Sequence, residues 1–138
     1  MAGADCVFCK IVAGQLPSIK LTESRQALAI MDINPFAPGH ALVIAKGHYP
    51  DLYSTPAASV AAVASLAKRV ARAVRDATMP DGINIVQANG PGAAQSVLHY
   101  HVHVLPRHKG DNAKLNWPLS PGDREAIIDM AARIKGHL

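Results

Sequence analysis

Cysteine and aromatic residues are scarce in this chain. It has two Cys in 138 residues, and two Phe, three Tyr and one Trp, so aromatics make up 4%. Two cysteines cannot build a disulfide framework, which excludes the small secreted scaffolds held by several bridges. No apolar run approaches the roughly 20 residues of a membrane span, so no membrane partner is expected. The opening Met1-Ala2-Gly3-Ala4-Asp5-Cys6 has neither the basic region nor the apolar stretch of a secretion signal. A cytoplasmic location, where thiols stay reduced, is the expectation. Runs of Lys and Arg interleaved with aromatics are also missing, and with them the footprint of a nucleic-acid-binding surface. No internal repeat and no low-complexity segment is present.

What is present suits one compact unit. The length fits a single domain over residues 1–138, with a motif-bearing core at about 5–107 and a tail and helix at 108–138. Apolar residues make up 49%, many of them Ala and Val, which suggests tight packing of small side chains. A formal net charge of +4 is compatible with a phosphate-bearing ligand, although many proteins are mildly basic.

Periodicity and turn residues predict the elements. A short helical turn is expected over Phe8–Ala13, stopping near Gly14. Strands are expected at Ile19–Thr22, Ala27–Asp32 and the nearly apolar His40–Ala45, with Pro38-Gly39 turning the chain between the last two. The longest helix should run from Thr55 to about Ala77, capped by Ser54 or Thr55 with Pro56 in its first turn. Val60, Val63, Ala67, Val70 and Val74 make its apolar stripe, and Lys68, Arg69, Arg72 and Arg75 read as a solvated face. Ile83–Gln87 and Leu98–Leu105 read as strands separated by a loop, and a last helix is expected from Ser120-Pro121 to about Ile134. Strands joined mostly without helices favour a meandering antiparallel sheet, hence an α+β fold.

The most informative run is His99-Tyr100-His101-Val102-His103-Val104-Leu105. Side chains on a strand alternate between faces, so the three imidazoles should share one face, with Cα atoms roughly 6.5–7 Å apart. Three histidines gathered this closely suit a phosphate or metal site better than a core. Histidine serves as nucleophile, proton carrier and metal ligand near neutral pH. The loop Gly90-Pro91-Gly92-Ala93-Ala94 has little side-chain bulk, so its N–H groups could approach a phosphate. The pair Cys6-Val7-Phe8-Cys9 admits three readings: a redox dithiol, idle thiols, or half of a tetrahedral zinc site. The strand-to-helix setting of redox motifs is absent.

Met31-Asp32-Ile33-Asn34-Pro35-Phe36-Ala37-Pro38-Gly39-His40, Gln95-Ser96-Val97 and the alternating histidines resemble, in order and spacing, the histidine-triad (HIT) family of nucleotide hydrolases and transferases. The resemblance implies a five-stranded antiparallel sheet with a long helix and a C-terminal helix, paired into a homodimer. It implies a nucleotide substrate, a purine nucleoside phosphate, attacked at its α-phosphate by His101. His103 and His40 would assist, with Gln95 and Ser96 at the phosphate and leaving atom. Asp32 would read the ribose hydroxyls, and Ile30, Ile33, Val97 and Asn89 would complete the nucleotide pocket. Bacterial members with an N-terminal CxxC bind zinc, which would assign Cys6, Cys9, His48 and His99 to a structural metal; no organic cofactor is implied. One departure stands out: relatives carry Asn-Asn-Gly where this chain has Ala88-Asn89-Gly90, so Asn89 would have to substitute. Two other classes of function stay open on the residues alone. One is a nucleotide-binding regulatory module with little turnover. The other is a metal-dependent hydrolase with the histidines on one catalytic ion.

Overall fold

The computed structural model describes residue 3 and residues 5–138. Met1, Ala2 and Ala4 of the N-terminal stretch lie outside the described residues. Five antiparallel strands form one sheet: β1 (Lys20–Glu23), β2 (Ala27–Met31), β3 (Ala41–Ala45), β4 (Gly82–Val86) and β5 (His101–Arg107). Their order across the sheet is β1-β2-β3-β5-β4. Around them lie α1 (Val7–Val12), α2 (Ala57–Thr78) and α3 (Arg124–Lys135). Among the described residues no helix is long and apolar enough to cross a membrane.

The strand alternation sorts the sheet into two chemically different faces. Ala27, Ala29, Ala41, Val43, Ala45, Val102 and Val104 face α2, which lays Val63, Leu66, Ala67, Val70 and Val74 against them. Alanines at these positions let the helix approach closely, and close packing is what stabilises such a layer. The four basic residues of α2 are exposed, as the stripe predicts. The other face carries Leu28, Ile30, Leu42 and Ile44, covered by Phe8 of α1. The register sets Ile44 opposite His101 and Leu42 opposite His103. Two imidazoles therefore project from the face that α1 and Val97 cover.

Element ends differ from expectation for local reasons. Thr55 does not cap α2. Its hydroxyl donates to the Asp51 carbonyl at 2.6 Å, and Pro56 is the residue before the first helical turn. The last helix begins at Arg124 rather than near Ser120, because the Asp123 carboxylate accepts the Ala126 N–H at 3.0 Å. The histidine strand starts at His101, not Leu98. The His99 N–H donates back to the Val97 carbonyl at 2.9 Å, so the chain bends there. Gly39 is required at its turn: φ is 92°, and a Cβ would come within 2.7 Å of Thr78 Cγ2. Beyond β5, Arg107 grips Asp111 through two hydrogen bonds of 2.7 Å and also reaches Asn84 and the Ala113 carbonyl. This fastens the start of the tail. No residue of α3 is buried.

Candidate active site and metal centre

The bend before β5 divides the three alternating histidines between two sites. His99 is fully buried and turns toward α1, where its Nδ1 lies 3.4 Å from Cys6 Sγ and 3.5 Å from Cys9 Sγ. His48 completes the group, with its Nδ1 3.2 Å from Cys9 Sγ and 3.3 Å from His99 Nδ1. Tetrahedral zinc with bonds of roughly 2.3 Å to sulfur and 2.0–2.1 Å to nitrogen sets its ligand atoms about 3.3–3.6 Å apart. The observed spacings fit that centre. The far nitrogen of His99, Nε2, donates to the Ala45 carbonyl at 2.6 Å. This places the His99 proton on Nε2 and leaves the Nδ1 lone pair for a metal, the outer-shell arrangement that orients metal-bound imidazoles. Burial lowers the His99 pKa, which keeps the ring neutral as a ligand must be. Burial, and then the neighbouring Cys6, push the Cys9 thiol up to about 11. A divalent cation at the centre reverses that preference, because the thiolate is the ligand form.

His101 and His103 open on the other side of α1. A cavity of about 500 Å³ is lined there by Phe8, Ile30, Asp32, Ile33, Ser96, Val97, His101 and His103. His101 is 8% exposed, and its Nδ1 donates to the His99 carbonyl at 2.6 Å. A carbonyl only accepts, so the proton is on Nδ1 and Nε2 carries the lone pair. Burial lowers the His101 pKa, so the ring is neutral near pH 7. That is the tautomer and charge state of a nucleophile.

A second chain of hydrogen bonds sets His103. The Phe36 N–H donates to His40 Nδ1 at 3.0 Å, so a neutral His40 holds its proton on Nε2. His40 Nε2 lies 2.9 Å from His103 Nδ1 and 3.4 Å from Asp32 Oδ2. With His103 Nδ1 accepting, its own proton stands on Nε2. Burial first, then the charges of His101 and His40, hold the His103 pKa down to about 4, against the opposing pull of Asp32. Burial also lowers the His40 pKa. With both rings neutral near pH 7, Asp32 beside them is not one half of a full ion pair.

The structure brings together most of the residues singled out in the sequence. Ile30 is buried in the cavity wall, and Ile33 stands 80% exposed at its mouth. His40 sits behind His103 rather than on the cavity surface. Asn89 and Gln95 are not among the lining residues. The Asn89 amide pairs with Gln87 through two hydrogen bonds of 2.8 Å, and its Oδ1 accepts the Leu52 N–H at 2.8 Å. The glycine-rich loop uses several of its amides internally. The N–H groups of Ala93, Ala94 and Gln95 donate to Gly90 and Pro91 carbonyls. Sequence reasoning missed Phe8, which it saw only as a helix residue. The ring packs edge-on against His99 at 5.8 Å and His101 at 5.0 Å between centroids. Its position inside the CxxC was the available signal, since ligating the two cysteines carries the residues between them onto the histidine strand.

The triad does not converge on one ion. Among the described residues, His99 belongs to the cysteine group, His103 to a group with Asp32 and His40, and His101 to neither. The second group also has a proton in the way, because His40 Nε2 must release it before binding a metal while the Phe36 N–H holds the other nitrogen.

Comparison with known proteins agrees with this geometry. The family profile described as HIT domain matches residues 13–110. An adenylylsulfatase from Arabidopsis thaliana is 44% identical over 107 residues, covering 78% of this chain and 54% of the plant protein, so the chain spans about half the length of that relative. An adenosine 5'-monophosphoramidase from Schizosaccharomyces pombe is 36% identical over 135 residues, covering 97% of this chain and 98% of its own. The crystal structure of a Zn-bound histidine triad family protein from Mycobacterium smegmatis superposes with a TM-score of 0.75 at 42% identity, covering 94% of this chain and 99% of that one. With a profile match across most of its length and relatives this similar, the chain belongs to the HIT family.

Proposed function

We propose that this protein cleaves adenylyl compounds at the α-phosphorus, transferring the adenylyl group first to His101 and then to water. The observation that carries the reading is the His101 tautomer, with its proton held against the His99 carbonyl and a lone pair left on Nε2. Nε2 attacks phosphorus, the N–P bond forms, and the bond to the leaving group breaks with its electron pair on that group, sulfate leaving as the anion and an amine gaining a proton from solvent as it leaves. The positive charge arising on the ring rests against the same carbonyl. The Nε2–H of His103 supports the phosphoryl oxygens, and Ser96 stands beside them. Water then attacks phosphorus, loses a proton to solvent, and the N–P pair returns to Nε2. Two steps with a good nucleophile replace one difficult hydrolysis. Asp32 would take the ribose hydroxyls, and Ile30, Ile33 and Val97 the base; all four line the cavity. The two named relatives act on adenylyl compounds with different leaving groups, sulfate and amine, which fits a site that holds the AMP portion.

The test is His101→Ala assayed with adenylyl sulfate and adenosine 5'-phosphoramidate. Turnover should fall by at least about a thousandfold while AMP still binds, and rapid quenching of wild type should trap an acid-labile nucleotidyl adduct. A variant retaining more than a tenth of wild-type turnover rules the covalent route out. A wild-type protein that binds AMP and turns over nothing is instead a binding module.

One structural zinc held by Cys6, Cys9, His48 and His99 belongs to the same proposal. It has four protein ligands and no open position for a substrate, so its contribution is stability. A homodimer is also proposed. β4 is a sheet edge with Ile85 52% exposed, and pairing two such edges covers unsatisfied strand groups. Light scattering at micromolar concentration should give twice the chain mass.

A further inference from the structure

The loop between β4 and β5 is closed on itself and then fastened to a second segment by one side chain. Gly90 at φ 84° and Ala94 at φ 59° turn the chain. The Gln95 N–H donates to the Gly90 carbonyl at 3.1 Å, and the Gly90 N–H donates to Gln95 Oε1 at 2.8 Å. The other end of the Gln95 amide faces outward from this ring. Nε2 donates to the Pro50 carbonyl at 2.6 Å and to the Val97 carbonyl at 3.1 Å. Both Nε2 protons thus have main-chain acceptors, and the oxygen has a main-chain donor. An amide saturated in this way has no proton left to offer a leaving group. It is also absent from the cavity wall, where its neighbours Ser96 and Val97 stand. Pro50 lies two residues beyond His48. The same segment is tied again at Leu52, whose N–H donates to Asn89 Oδ1 at 2.8 Å.

We propose that Gln95 is a positioning residue rather than a contact to the leaving group. It locks the 90–95 turn, fastens it to the 48–52 segment, and so sets where Ser96 meets the substrate's phosphate. This rests on the adenylyl-transfer reading above and departs from the role that the family resemblance implies for this position. A leaving-group contact and a positioning role predict different things. A residue that touches the leaving group matters more for one leaving group than another. A residue that places the phosphate loop matters equally for all, and matters for AMP more than for adenosine.

The experiment compares wild type with Gln95→Ala and Gln95→Glu. Both variants are assayed with adenylyl sulfate and adenosine 5'-phosphoramidate, with AMP and adenosine affinities from calorimetry and amide exchange at Gly90 by NMR. For Gln95→Ala, kcat/KM should fall about 10–100-fold for both substrates by the same factor, the size of one or two lost hydrogen bonds. AMP affinity should drop while adenosine affinity holds, and Gly90 exchange should accelerate. Gln95→Glu keeps the acceptor for Gly90 but loses both donors. It should restore Gly90 protection without restoring kcat/KM, and it carries the comparison if the alanine variant folds poorly. A loss that differs more than fivefold between the two substrates overturns the proposal in favour of a leaving-group contact. Activity within twofold of wild type in both variants overturns it as well. If wild type cleaves neither substrate, the adenylyl-transfer reading has failed. The Gly90 exchange and the AMP-to-adenosine ratio then still judge the positioning role.

Discussion

Two groups of ligand-type side chains lie toward opposite ends of β3, one with His48 after the strand and one with His40 before it, and they behave as opposites. Cys6, Cys9, His48 and His99 bring their donor atoms within 4.8 Å of one another, and so do Asp32, His40 and His103. By residue type and distance alone both could hold a metal. The hydrogen bonds on the far side of each imidazole separate them. His99 donates outward through Nε2 to the Ala45 carbonyl, so its lone pair points at the centre. His40 accepts from outside at Nδ1, from the Phe36 N–H, so its proton points at the centre. The first group turns a lone pair toward the point where a cation would sit. The second already holds a proton where the cation would go, and passes hydrogen bonds along instead. The atom behind the ring, not the ring itself, decides whether a histidine cluster is a metal site or a relay.

The comparison is most directly broken at the cysteines. Cys6→Ser should abolish the single zinc equivalent measured by elemental analysis and lower the melting temperature by about 10 °C or more, since metal binding at such a site is folding free energy. Some turnover should survive, because His101 keeps its own carbonyl partner. Excess zinc added to wild type should fill one site per chain and leave the Asp32 group empty. A second tight equivalent would show that the far-side hydrogen bonds do not decide.

Removing the relay should do the reverse. His40→Ala should leave zinc content unchanged and lower kcat about a hundredfold, the usual size of one lost donor to a developing oxyanion, because His103 loses the hydrogen bond that keeps its proton on Nε2. If zinc is lost with His40, the two groups are not separable. Asp32→Asn should be milder still, a rise of about tenfold in KM with kcat little changed, as expected for a contact to the ribose made equally in ground and transition states.

The smallest effect concerns pH. The folded protein holds His103 down to about 4, below the ordinary value near 6.5, and His101 is shifted the same way. The neutral forms are thus favoured by the fold. That contribution to stability is complete above about pH 6.5, and it is lost as pH falls toward the folded value. For catalysis the same shift means that kcat/KM should fall to half its plateau below pH 6.5, the ordinary histidine value, with His103 titrating near 4. A half-maximal point at 6.5 would mean the rings are solvated, contrary to the structure.

The alternation of residues 101–104 and the apolar stripe of α2 were legible in the chain because period two and period 3.6 are local properties of backbone geometry, whereas the bend that takes His99 out of the strand was not. The boundaries were less legible. Asp123 looks like any exposed acid until its carboxylate is seen on the Ala126 N–H. Gln95 looks like a site residue until its amide is seen saturated by Gly90, Pro50 and Val97, which come from two separate segments.

By itself the sequence determined which residues share a face of the sheet, which face of α2 is buried, and which residue types are available for phosphate and metal chemistry. Only the tertiary structure decided how those types are used. It turned His99 away from His101 and His103 by a bend at Val97–His99, brought Phe8 against both sites, and set the protons of His99 and His103 through groups far along the chain. The physical reason is that a tautomer depends on the group beyond the ring. Ala45 for His99 and His40 for His103 come from strands or loops more than fifty residues away, on no pattern that local spacing can carry.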